Sequence, residues 1–483
     1  MPERPLWFVV IGGGMAGILA TIKLQEAGFD DIVVYEKADR LGGTWRDNTY
    51  PGIGCDVPSH LYCYSFAPNP DWSHTFSPGD EILAYFERVA REHGVDRRVR
   101  LCEEVLAATF RDGRWHLETS TGRRDEADVV IAATGVLHHP RYPDIEGLDT
   151  FAGAAFHSAR WDHSVPIDGA RLGVIGTGSS GVQIVGATVD RVAHLTLFQR
   201  TAQWILPQNN RPYTEEEKAR FRSDPEAVAE LYRKLSETFS GFANAVVDAD
   251  SPQMKAVEEM CRVNLETSVR DPELRERLRP NYRAACKRLV VSDNFYEAIQ
   301  RPNAELVTSP IERVEPAGVR TADGRLHELD VLVLATGFKV DAFMRPMAVT
   351  GRGGLRLDDL WDRRPCAYLS ISIPDFPNLF MLNGPNGPVG NFSLVEVAEL
   401  QMGYVMQLVE LLRRGEAREI SATWEAMERH ESARAEAAKG TIWATGCHSW
   451  YLDDRGIPSA WPWPWQRFLD EMAAPKLADY ELR

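Results

Sequence analysis

A chain of 483 residues, 44% hydrophobic and 26% charged, has the composition of an ordinary globular protein with room for two or three domains and a large core. Its 54 basic and 70 acidic residues give −16, which argues against nucleic acid or an anionic membrane surface as the main partner and leaves any anionic ligand to local cations and helix N-termini. Seven cysteines form no Cys-x-x-Cys pair or metal-ligand spacing, no uncharged apolar stretch reaches the roughly 20 residues of a membrane span, and the glycine-rich N-terminus lacks the pattern of a secretory leader, so the expectation is a reducing cytoplasm with neither a disulfide framework nor a dithiol redox centre.

In chain order, the β-branched run Trp7 to Ile11 predicts a first strand, and a helix is expected from about Met15. Gly12, Gly14 and Gly17, in VVIGGGMAG, supply the tight turn that lets the backbone approach a pyrophosphate at a helix N-terminus. A second strand is expected over Asp31 to Tyr35 and ends at Glu36. A carboxylate there accepts hydrogen bonds from ribose hydroxyls and repels a 2′-phosphate, so the first loop suits FAD or NAD and not NADP. Val129 to Gly135 predicts a returning parallel strand, followed by the stretch FAGAAFHSARWD, Phe151 to Asp162. A second loop then appears, Gly176, Gly178 and Gly181 in LGVIGTGSSG. At its ribose position, 19 residues past Gly181 (200 − 181), stands Arg200, whose guanidinium pairs with a 2′-phosphate that an acid would repel. The second loop therefore points to NADPH.

From Tyr213 to about Arg279 the chain is polar with helical spacing and reads as a helical insertion. Asp330 to Phe338, DVLVLATGF, nearly repeats 129–135, which suggests that the chain leaves the first domain and re-enters it there. Residues 384–391 form a turn-rich loop, 394–414 a strong amphipathic helix, and SAWPWPW at 459–465 is neither helix nor central strand. The fold class expected is α/β, two Rossmann-like dinucleotide-binding domains with a helical insertion. Residues 1–142 are assigned to the first part of the domain that holds FAD or NAD, an FAD-binding domain on the resemblance described below, and 143–208 to the first part of an NADP-binding domain. The insertion spans 209–280, the second part of the NADP-binding domain 281–325, and the second part of the first domain, with C-terminal substrate and cofactor loops, 326–483.

Phe151, Gly153, His157, Trp161 and Asp162 match the pattern Phe-x-Gly-x-x-x-His-x-x-x-Trp followed by Pro or Asp. Gly43, Trp45, Tyr50, Pro51, Gly52 and Asp56 match a second, Gly-x-Trp, then Tyr-Pro-Gly and a downstream Asp. On these motifs the chain resembles the type I Baeyer–Villiger monooxygenases, FAD enzymes that use NADPH and insert one oxygen of O2 beside a ketone carbonyl. The likeness extends to QRT at 199–201, the KR pair at 287–288, ATGF at 335–338 and SWY at 449–451, nearly the whole chain.

The resemblance implies a flavin peroxide that must stay anionic to attack a ketone, and a tetrahedral adduct after attack, both stabilised by a guanidinium. The matching residue is Arg288, with Asp56 as its orienting acid. Lys287 then joins Arg200 and Thr201 at the NADPH phosphate, and His157 belongs to an interdomain link and is not a catalytic base. The remaining cofactor candidates on the first half are Lys37, Gly43, Thr44, Trp45, Tyr62 and Val105. Thr177, Gly178, Ser179, Ser180 and Gln183 follow around the second loop, and Asn391 lies late in the chain. Gly54 stands where many members have arginine, and GPNGPVGNFS differs from the more usual loop, so the substrate type is left open more than the reaction.

Three alternatives remain at this stage. A flavin monooxygenase acting on nitrogen or sulfur would use the protonated hydroperoxide. An NADPH–FAD reductase would need an exchanging cysteine pair or a docking surface, and a silent flavoprotein would act as a redox sensor. The expected partners are a small-molecule ketone and O2, with no nucleic acid and no membrane span, in a monomer or a homodimer.

Overall fold

Phe8–Ile11 is apolar on both faces, the pattern of a strand covered by helices on either side, and it lies at the centre of a five-stranded parallel sheet. A computed structural model of the chain describes residues 5–390 and 392–483. In this first sheet the order is Leu379–Met381, Val129–Ala132, Phe8–Ile11, Ile32–Tyr35 and Val99–Arg100. The register sets Phe8 beside Ile32 on one side and Val129 on the other. A second five-stranded parallel sheet runs Ala304–Val307, His194–Phe198, Arg171–Ile175, Val331–Leu334 and Ala154–His157. Each sheet is accompanied by an antiparallel meander: Val105–Arg111, Arg114–Thr119 and Arg124–Ala127 in the first unit, Ile311–Glu315, Gly318–Thr321 and Leu326–Glu328 in the second.

This pairing corrects one sequence expectation. Val331–Leu334, taken as the strand that re-enters the first domain at 326–338, pairs with Arg171–Ile175 and Ala154–His157 and so belongs to the second sheet. The strand that closes the first sheet comes later, at Leu379–Met381. The two near-identical ATG endings thus serve different sheets in the same way. The Ala133 carbonyl closes over Gly12 and the Ala335 carbonyl over Gly176.

The helical insertion forms as expected, with helices Glu215–Ser223, Pro225–Val246, Pro252–Ser268 and Pro272–Leu278. Thr214, Asp224, Ser251 and Asp271 accept from first-turn amides, and proline opens the last three helices, where its missing N–H costs no hydrogen bond. The amphipathic helix Leu394–Arg413 packs its apolar face on the first glycine helix, Met15–Glu26, in one continuous core. Residues 459–464 are irregular, and Trp465 starts the helix Trp465–Ala473.

The chain passes between the two units twice, and the crossings run side by side. Arg141 N–H donates to the Gly337 carbonyl at 2.8 Å, Lys339 N–H to the His139 carbonyl at 2.9 Å, and the Thr336 hydroxyl to the Arg141 carbonyl at 2.6 Å. His157 ends the edge strand Ala154–His157, fully buried, its Nδ1 accepting from Ala159 N–H and its ring beside Tyr142 and Phe338 of the two crossings. Burial holds the imidazole below its ordinary pKa, so it is neutral at pH 7.

Gly12 and Gly176 sit at φ +108° and +116°, and a Cβ on either would meet the facing alanine carbonyl oxygen at 2.5 and 2.3 Å. Gly178, at φ −72°, has open space around its Cβ position. Gly12→Ala or Gly176→Ala is expected to lower unfolding stability by about 1–3 kcal/mol in urea titrations. Gly178→Ala should stay within about 0.5 kcal/mol of the parent. Equal effects at all three positions would show that the close approach does not govern these loops.

Candidate active site

Both glycine loops open into one cleft of about 1750 Å³. That is well beyond the roughly 300–1,000 Å³ of a single drug-sized site, as two dinucleotides in one groove require. On the first loop, Gly14 precedes the helix Met15–Glu26, and no side chain caps its first turn. Gly178 precedes the second glycine helix, Ser179–Thr188, in the same uncapped way. Two helix N-termini therefore present unpaired amide donors and positive dipole ends at the cleft, where a pyrophosphate would be held. Gly17 lies one turn in, its Cα so close to the Gly12 carbonyl that a Cβ would stand 1.8 Å from that oxygen.

Glu36, at the end of the second strand, is buried beneath the first loop and accepts from Gly13 N–H at 2.8 Å and Ala38 N–H at 2.9 Å. Its charge is balanced by Arg46 at 3.0 Å, a residue that the sequence reading missed. Gly43, at φ +54°, starts the short helix Thr44–Asp47 and packs against Gly14, which brings Thr44 and Trp45 to the cleft wall. The Trp45 indole donates to the Tyr62 hydroxyl at 3.2 Å. Lys37 and Val105 line the same wall.

Across the cleft the second loop presents Thr177, Gly178, Ser179, Ser180 and Gln183. The Thr177 hydroxyl donates to the Thr201 carbonyl at 2.7 Å and fixes the segment that carries Arg200. Ser180 and Gln183 have a second use that the sequence did not show. Tyr50 donates to Gln183 Oε1 at 2.8 Å and accepts from the Ser180 hydroxyl at 3.1 Å, while Gln183 Nε2 donates to the Gly54 carbonyl at 3.0 Å. Gly52 lies so close to this helix that a Cβ would stand 2.7 Å from the Gln183 carbonyl. The Tyr-Pro-Gly stretch is thus a dock between the units.

Lys287 lies over the Tyr282 ring at 4.8 Å, and its ammonium is pulled below the ordinary lysine value by burial and by the charge of Arg200. Neither cation has a carboxylate partner among the described residues. Two unneutralised cations at the mouth of a groove suit a phosphate dianion.

Arg288 pairs with Asp56 at 2.5 Å, with about a third of the guanidinium side chain and a quarter of the carboxylate exposed to the cleft. Asp56 and, beyond it, the Tyr451 hydroxyl hold Arg288 firmly in its charged form. Of the sequence candidates, all but two line this cleft: Gly17 packs beneath the first loop, and Asn391 lies outside the described residues.

The expectation of no disulfide is also corrected. Cys286 and Cys447, 161 residues apart, are bonded, which ties the residue before the Lys287–Arg288 pair to the loop that carries Trp450 and Tyr451. The other five cysteines are free.

Two facing dinucleotide loops, one with an acid at the ribose position and one with unpaired cations, define a two-dinucleotide oxidoreductase with a fixed cation in the shared cleft. A family model of pyridine nucleotide-disulphide oxidoreductases matches residues 9–229. An uncharacterized monooxygenase of Mycobacterium tuberculosis is 48% identical over 98% of this chain and 95% of its own length. A Baeyer–Villiger monooxygenase of Streptomyces coelicolor is 39% identical over 98% and 92%. The structure of cyclohexanone monooxygenase from Rhodococcus sp. Phi1 bound to NADP+ superposes over the whole of both chains with a TM-score of 0.89 at 32% identity. The chain belongs to the Baeyer–Villiger monooxygenase family of flavoproteins.

Denatured but unreduced protein is expected to react with a thiol reagent at five cysteines, and at all seven after reduction. A peptide map should contain Cys286 and Cys447 in one cross-linked fragment. Seven reactive thiols without reduction would contradict the bond.

Proposed function

We propose that the protein uses NADPH and O2 to insert one oxygen beside a ketone carbonyl, giving an ester or lactone. The observation that carries this reading is the Arg288–Asp56 pair in the cleft shared by both glycine loops. FAD, when bound on the first loop, supplies the passage of electrons from NADPH to O2. The residues present fit the two dinucleotides: uncapped amides at two helix N-termini, Glu36 toward one ribose, and Arg200 with Lys287 toward a 2′-phosphate.

Attack on a ketone carbonyl moves negative charge onto its oxygen, and a guanidinium that never deprotonates stabilises that charge without a proton transfer. Asp56 orients Arg288 and balances its charge when no substrate is bound. Val389, Phe392 and Trp450 line the same cleft and offer apolar contact to the hydrocarbon of a ketone. Oxygenation of nitrogen or sulfur creates no carbonyl oxyanion and leaves the Arg288–Asp56 pair without a task. We place the enzyme in the cytoplasm, where NADPH is regenerated, the Cys286–Cys447 bond being buried away from the thiols there that reduce exposed disulfides; among the described residues no helix is long and apolar enough to cross a membrane.

Arg288→Ala is expected to bind FAD and accept hydride anaerobically, yet to form ester or lactone about 10²–10³-fold more slowly, the range for loss of one oxyanion donor. Asp56→Ala should show the same defect in milder form. Wild-type yield from Arg288→Ala would sink the assignment.

Arg200→Ala should raise the Michaelis constant for NADPH by about ten- to a hundredfold, as expected for one lost charge-assisted contact, with little change for NADH. Equal effects on both cofactors would show that Arg200 does not read the phosphate.

A further inference from the structure

Two chain segments approach the guanidinium of Arg288, and Asp56 stands on one of them. The second is the C-terminal loop, which brings the Tyr451 hydroxyl close to the guanidinium. A third segment bounds Tyr451 in turn: at Gly390, φ +88°, a Cβ would stand 1.8 Å from the Tyr451 hydroxyl oxygen. Only a residue without a side chain leaves room for that hydroxyl.

Tyr451 is itself held on every side. Its ring is 2% exposed and packs on Trp443 and Trp450, with centroids 5.4 and 4.1 Å away. Its carbonyl accepts from the Ser459 hydroxyl at 2.9 Å, and its amide donates to the Ser449 hydroxyl at 3.2 Å. The Cys286–Cys447 bond then fastens this loop to the segment that carries Arg288, two residues on one side of the bond and four on the other.

We propose that Tyr451 is a positioning residue for Arg288, and that the Cys286–Cys447 disulfide keeps the two in register. A flexible arginine can point its five donors in many directions. Asp56 neutralises the guanidinium, and a neutral hydroxyl fixes a second edge of it without adding charge, so the aim toward the cleft is set while the cation keeps its strength. Loss of the hydroxyl leaves the charge in place and loosens its direction. The inference rests on the oxygenation reading for its kinetic consequence, while its structural consequence stands apart from catalysis.

The test compares wild type, Tyr451→Phe, Cys447→Ser and the double variant as full-length holoproteins. Tyr451→Phe is expected to retain FAD, its melting temperature and its rate of anaerobic reduction by NADPH. Its kcat for product from a ketone turned over by wild type should fall about ten- to a hundredfold at unchanged ketone KM, the range for losing a hydrogen bond to a charged group. Cys447→Ser should shift in the same direction, and the double variant should be no worse than Tyr451→Phe, because both changes act through one contact. Hydrogen–deuterium exchange of the resting protein should rise in peptides covering 285–290 and 447–460 in both single variants.

Wild-type kcat and unchanged exchange in Tyr451→Phe would overturn the proposal. So would a rise in ketone KM alone, or loss of flavin and a fall in melting temperature, which would make Tyr451 a substrate contact or a packing residue. A wild-type protein that forms no ester or lactone from any ketone would sink the oxygenation reading instead, and the exchange measurement would still decide whether Tyr451 holds Arg288.

Discussion

Arg288 and Asp56 come from opposite sides of the cleft, and much of the architecture follows from keeping them in contact. Asp56 lies on the loop that follows Tyr-Pro-Gly in the first unit, and Arg288 on the segment that leads into Val290–Val291, which pairs with Ile205–Leu206 in the second. Removing two charges from water is unfavourable unless each finds the other and the remaining donors are used. The pair therefore stabilises the fold only when the two units are docked. Tyr50, bonded to Ser180 and Gln183, and Gly52, pressed on the second glycine helix, provide that docking beside the ion pair. Loop, helix and counter-charge are set by one requirement, a cation with a fixed place in the cleft that the two glycine loops share.

Local chemistry was legible in the sequence because it is carried by short spacing. The glycine triplets, the strands before them, the acid at 36 and the arginine at 200 are each read within about 30 residues, and Gly12, Gly14, Glu36, Gly176, Gly178 and Arg200 line one cleft. The insertion was equally plain, since proline and small polar residues mark the starts of its helices. Sheet membership was not. A parallel strand buried on both faces is a bare apolar run, and its sequence does not name its neighbours. Val331–Leu334 resembles Val129–Ala132 because the two do the same thing in separate sheets, and the resemblance was misread as a return to the first.

The same limit explains the residues that were missed. Cys286 and Cys447 are 161 residues apart and follow no spacing rule, so nothing short of the folded chain brings them together. Arg46 looks like any surface arginine until the short helix Thr44–Asp47 turns it under the first loop to meet Glu36. Tyr451 was recognised as part of a motif, but its contact with Gly390 and Arg288 joins three distant segments. Partners of this kind are fixed by tertiary packing, and the sequence carries only one half of each.

The two crossings at 139–141 and 337–339 lie within hydrogen-bond distance of each other. Everything between them, the second sheet, its meander and the helical insertion, therefore enters and leaves the first unit through a single doorway. A segment whose ends meet leaves the path of the host chain undisturbed, but this one is not self-contained: the Cys286–Cys447 bond, the Arg288–Asp56 pair, the Tyr50 contacts with Ser180 and Gln183, and the shared core around Tyr213 and Ala243 all hold it to the rest of the chain. The first unit would be left with its sheet in order, because Val129–Ala132 and Leu379–Met381 already pair directly across the point of excision. An exchange at these two adjacent joints therefore carries Arg200, Lys287 and Arg288 together and leaves Glu36 and Asp56 behind, so an incoming segment must meet Asp56 and Cys447 of the host.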